Sequence, residues 1–126
     1  AKKLSSTHQE TTVLLSTVEE KYEMATLPLQ AQFSPISEIL TTDFNKDGNI
    51  DILFLGNNDY YKLRIGKFDA NYGTVLFGDG KGNFNYVTQS NSGLSIKGSN
   101  PHALLINDEL IFTSYGLSTE TYKLLK

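Results

Sequence analysis

The chain of 126 residues has no cysteine, no tryptophan, only three prolines and just two histidines. Without cysteine it can form neither disulfides nor thiolate metal sites. His8 and His102 lie far apart in sequence, so neither a zinc centre nor a histidine-based catalytic pair is indicated. No apolar run reaches the 18 or so residues of a membrane-spanning helix. Charge of one sign is also scarce: 11 Lys and Arg against 14 Asp and Glu leave a net −3. Nucleic-acid binding wants a clustered basic face, and the cations here are scattered. Ala1-Lys2-Lys3 runs into polar residues, so no secretory leader is legible. The length fits one domain.

What is present is a concentration of oxygen ligands in Asp43-Phe44-Asn45-Lys46-Asp47-Gly48-Asn49-Ile50-Asp51. Side-chain oxygens stand at alternate positions 43, 45 and 47, and again at 51. Gly48 sits where the backbone must turn sharply, which glycine does without steric cost. Carboxylates and amides at this spacing can wrap one hard cation, and an all-oxygen set suits Ca²⁺ better than Mg²⁺. The opening matches an EF-hand loop, but the twelfth position is Phe54 in place of the bidentate Glu. A strand pattern follows where that motif has a helix. The expected ligands are the side chains of Asp43, Asn45, Asp47 and Asp51 and the carbonyl of Asn49. The plain alternative is an Asx-rich turn that binds nothing.

The rest of the chain reads as strands. Thr11 to Thr17 is β-branched and apolar, and Lys21 to Leu27 alternates as a returning strand, with helix the competing reading for 18–27. Pro28 and Pro35 bracket a connector. Ile36 to Thr42 enters the acidic loop, and Ile52-Leu53-Phe54-Leu55 leaves it, apolar at every position. Such a run predicts a strand covered on both faces. Asn57 to Gly73 is a long, aromatic-rich excursion, and connections of that length tend to be functional. Gly73 to Phe77 and Asn83 to Thr88 read as strands around the glycine-rich turn Gly78 to Gly82. That turn lacks the Lys-Ser/Thr end of a phosphate-binding loop. His102 to Ile106, Leu110 to Ser114 and Glu120 to Leu125 complete the series, the first two joined by a tight hairpin at Asn107-Asp108-Glu109.

Ser37 to Leu53, with the acidic loop at its centre, resembles the FG-GAP/VCBS repeat, the calcium-bearing blade of integrin-α-like β-propellers. Leu76-Phe77-Gly78-Asp79-Gly80-Lys81-Gly82-Asn83-Phe84 is similar to the second half of that repeat. Ala31 to Ile36 and Asp69 to Gly73 resemble bacterial secreted VCBS-repeat proteins with an ASPIC/UnbV-type region. The likeness covers roughly residues 27 to 98. It implies an all-β fold of antiparallel four-stranded blades, extracellular placement and Ca²⁺ in the loop, and no reaction. On this reading residues 1–10 are a frayed lead, and 11–35 supply the last two strands of one blade plus a connector. Residues 36–98 form a complete blade, and 99–126 three strands of another. Propellers close with ~4–8 blades, so about two blades make a propeller fragment that self-associates or contacts the rest of a longer propeller.

The expected function is a non-catalytic extracellular module for adhesion or protein binding. The alternatives are a carbohydrate-binding accessory domain and an enzyme with its site at the propeller mouth. Tyr60, Tyr61 and Arg64 in the long excursion are the candidate ligand-binding residues, because tyrosine offers rigid amphipathic contact area. Packing of those aromatics over the blade edge is the alternative. An enzyme would need a paired acid and base in a cleft, and the acidic residues here read better as metal ligands.

Overall fold

The computed structural model describes residues 2–59 and 66–124. Tyr60, Tyr61 and Arg64 lie outside the described residues. The fold is all-β and antiparallel: among the described residues nine strands form three sheets, each a meander of consecutive strands. The first sheet pairs β1 (Thr12–Ser16) with β2 (Tyr22–Thr26). Strand therefore prevails over helix at 22–26, because Tyr22, Met24 and Thr26 take one face and Glu23 and Ala25 the other. The second sheet runs β3 (Glu38–Thr42), β4 (Asp51–Leu55), β5 (Thr74–Gly78), β6 (Phe84–Val87). The third runs β7 (Ser99–Ile106), β8 (Glu109–Tyr115), β9 (Glu120–Lys123).

Strand β4 holds the molecule together. All five of its residues are buried: the four apolar residues Ile52 to Leu55 as their unbroken run predicts, and Asp51 through its bonds to two backbone N–H groups. Successive side chains of a strand point to opposite faces, and here each face has its own cluster. Leu53 and Leu55 pack with Val75, Leu94, Ile96, Leu110 and Phe112 toward the third sheet. Ile52 and Phe54 pack with Leu27, Ala31 and Leu76, backed by Val13, Phe84 and Tyr86, toward the first. The second sheet is thus the middle layer of three.

Two connectors carry structure of their own. Leu29–Gln32 forms a 3₁₀ turn whose last residue pins the first sheet. Gln32 accepts from Thr11 N–H through Oε1 (2.6 Å) and donates through Nε2 to the Thr11 and Leu27 carbonyls. Gln89–Ser92 forms one turn of α-helix, α1, closed by Gly93 at φ 70°, whose N–H returns to the Gln89 carbonyl. A glycine in the left-handed region is the usual helix stop. Strand β7 starts three residues ahead of the expected His102, and an irregularity between Ser99 and His102 absorbs Pro101. Proline is tolerated in strands at such bulges.

Candidate metal centre

The acidic loop spans the gap between β3 and β4 on the middle sheet. Its backbone is bent by two left-handed residues, Lys46 at φ 62° and Gly48 at φ 90°. Those bends fold the side-chain oxygens back onto the loop's own N–H groups. Asp43 accepts from Asp47 N–H (3.0 Å) and Gly48 N–H (2.8 Å). Asn45 Oδ1 accepts from the same Asp47 N–H at 3.0 Å, so the Asp43 and Asn45 oxygens converge on one point. Asp47 in turn accepts from Asn49 N–H (2.8 Å) and from the Asn45 amide (2.9 Å). The N–H bond from Asn49, followed by the Asn45 amide, holds the pKa of the Asp47 carboxyl below the usual carboxylate range.

Asp51 is placed differently. It is fully buried at the start of β4. One carboxylate oxygen accepts Phe44 N–H (2.9 Å) and the other Gly78 N–H (2.9 Å). Asp51 therefore ties the loop to β5 across the middle sheet. Among the described residues no three carboxylate or imidazole groups gather as closely as a metal shell requires. Asp43, Asn45 and Asp47 lie together at the loop's rim, while Asp51 faces inward as a brace.

The donor set still fits a hard divalent cation. Every candidate ligand is oxygen, two of the side-chain oxygens already converge, and each carboxylate oxygen has a second lone pair beside the N–H it accepts. Asn49 sits against the neighbouring Gly80 turn, its Oδ1 close to where a side chain at that glycine would stand. Lys46 reaches Asp108 in the β7–β8 turn (3.2 Å), and His102 Nδ1 lies 2.8 Å from Glu38 Oε2. Both contacts bind the middle sheet to the third.

Neither a protein-family model, a curated protein nor a solved structure matches this chain.

The neck of the long excursion is clamped by a feature that sequence reading missed. Asn57 and Asn71 are both buried, and the Asn57 side chain grips the Asn71 backbone twice: its Nδ2 donates to the Asn71 carbonyl (2.6 Å) and its Oδ1 accepts Asn71 N–H (3.0 Å). Asn71 also caps Gly73 N–H (2.8 Å). Two asparagines fourteen residues apart leave no local pattern, so nothing in the sequence flags them as a pair. Beside the acidic loop, a cleft of ≈ 470 Å³ opens between the middle and third sheets. Phe44, Phe77, Leu94, Tyr122 and Leu124 give it an apolar wall. Among the described residues its polar lining is Asn45, Asn91, Ser92 and Lys123, with the Tyr122 side chain and no carboxylate.

Proposed function

We propose that the chain is a piece, about two blades, of a β-propeller of the FG-GAP/VCBS kind, held by Ca²⁺ and serving outside the cell as a non-catalytic module for adhesion or protein binding. One observation carries the reading. Five oxygen-bearing residues in alternating register run from the loop after β3 into the first residue of β4, in a four-stranded meander whose inner strand β4 is buried on both faces. Asp43, Asn45 and Asp47 would hold the ion from the rim with the Asn49 carbonyl, while Asp51, bonded to Phe44 and Gly78 N–H, braces the loop from behind. A bound ion would neutralise carboxylates that otherwise depend on backbone N–H groups, and so would fix the loop against the middle sheet. Its contribution is to stability, with no bond-making step assigned to it.

Calorimetric titration of chelator-stripped protein tests this. The expected outcome is one calcium site, weaker for Mg²⁺, and absent in Asp47→Ala. Ligand that binds only the folded state stabilises it by about 2.7 kcal/mol at a hundredfold excess over Kd. Calcium should therefore raise the melting temperature by several degrees. Titration of Asp47→Ala indistinguishable from the parent would remove the assignment.

A further inference from the structure

The stack of sheets has an uncovered face at each end. On the first sheet, the register pairs Leu14 with Met24 and Ser16 with Tyr22. The three large residues of that face are 62%, 57% and 72% exposed for Leu14, Met24 and Tyr22. The face carries no charge: its remaining positions are Thr12, Ser16 and Thr26, while Glu19, Glu20, Lys21 and Glu23 lie on the turn or the opposite face. On the third sheet, Leu104 lies opposite Ile111 and Ile106 opposite Glu109. Leu104 and Ile106 are 56% and 46% exposed. That face also carries His102, Glu109 and Lys123 at its margins. Exposed large apolar side chains grouped on one face mark interaction surfaces, and on the first sheet the absence of charge with Tyr and Met present is typical of an interface core.

The two internal interfaces indicate what covers these ends. Alternate residues of one sheet meet alternate residues of the next, as Leu53 and Leu55 meet Leu110 and Phe112. The end faces carry the intervening residues of the same strands: Leu14 beside inward Val13, Ile111 between inward Leu110 and Phe112. Each end therefore continues an established sheet-on-sheet contact in the same direction. A single molecule holds both halves of the missing interface, one at each end.

We propose that a second copy of this chain covers them: the β1–β2 face of one copy docks on the β7–β8 face of the other, head to tail. Head-to-tail contacts close into rings when the rotation allows. Two copies of about two blades each bring together about four, the lower end of the ~4–8 that close a propeller. Closure as a ring rests on the blade reading above; the docking of the two faces does not, and neither involves the acidic loop.

Mass by light scattering, read against concentration, tests it with Leu14→Glu and Leu104→Glu. Both side chains are exposed, so each variant should keep the parent's melting behaviour. Met24→Glu and Ile106→Glu are the replacement pair if one of them fails to fold. The parent should pass from the 14.0 kDa chain mass to twice that as concentration rises. Each variant alone should stay at one chain. An equimolar mixture should recover the double mass, at higher concentration because one of the two contacts remains. Several results overturn the proposal: a parent of single mass throughout, a Leu14→Glu or Leu104→Glu protein that still pairs with itself, or a mixture that never recovers. The first says that the faces await another partner, and the second that like faces pair. Calcium titration of the same samples reports on the loop separately, so failure here leaves that reading standing.

Discussion

Asp51 and Asp47 differ in what they contribute, although both are spaced as ion ligands. Asp51 is buried and holds Phe44 N–H and Gly78 N–H, and leaving a buried N–H unpaired costs about 1–3 kcal/mol. Asp51→Ala should therefore destabilise by roughly 2–5 kcal/mol, lowering the melting temperature by about 10 °C or more, with calcium or with chelator. Asp47 is exposed, and Asp47→Ala should lower it chiefly when calcium is present. Equal calcium dependence in the two variants would contradict this division. Asp79 supplies a pH test away from the loop. The Asn83 amide first, then Lys81 N–H, hold its carboxyl below the ordinary range. A lowered folded value stabilises fully above the unfolded one, about 3.9, and the benefit fades as pH falls through the folded value. The denaturation midpoints of the parent and Asp79→Asn should thus differ slightly at pH 7 and converge as acid protonates the folded carboxylate. A gap unchanged by acid would show that the carboxylate charge is not involved. At this scale the sequence discloses which atoms are ligand-like, but not that Asp51 faces Gly78. That partner lies 27 positions on, and only strand pairing brings it close.

At the scale of elements, the legible signals were those with a period. Ile52-Leu53-Phe54-Leu55, apolar at every position, predicts a strand covered twice, and β4 is fully buried. Thr11 to Thr17, β-branched and apolar, and Lys21 to Leu27, which alternates, pair as β1 and β2. The α1 turn was invisible because four residues are too few to show a helical period. The early start of β7 was hidden by Pro101, which reads as a strand breaker until the bulge beside it is seen. Strand β4 gives the element-scale prediction. Leu53→Ala removes packing toward the third sheet and Phe54→Ala toward the first, costing about 2–5 and 3–5 kcal/mol respectively. Chemical denaturation should show both losses at similar size; a negligible loss for either would mean that one face of β4 is loosely covered. Gly56, just past β4, is a separate constraint. A side chain there would collide with the Pro35 backbone carbonyl. Gly56→Ala should therefore cost about 1–3 kcal/mol, read as a lower denaturation midpoint, and a neutral result would show that the Pro35 connector yields.

For the whole molecule, the layered arrangement sets an order of opening. The inner strands of the middle sheet, β4 and β5, are covered on both faces and supply residues to both clusters. The first sheet has only two strands, and it is tied down mainly by Val13 and the Gln32 bonds to Thr11 and Leu27. A two-stranded hairpin is marginal by itself, and segments with few buried contacts open at lower free energy than the core. Amide hydrogen exchange at low protein concentration should therefore protect β4 and β5 most. The amides of β1 and β2 should exchange well ahead of global unfolding, by a hundredfold or more if local opening costs about 3 kcal/mol less. Raising the concentration adds a second effect, since a copy seated on the β1–β2 face would slow exchange there and leave β4 unchanged. Uniform protection across the three sheets at every concentration would mean that the molecule opens only as one unit. Protection that rises with concentration in β1, β2, β7 and β8 together would tie the mass measurement to the two faces that carry Leu14 and Leu104.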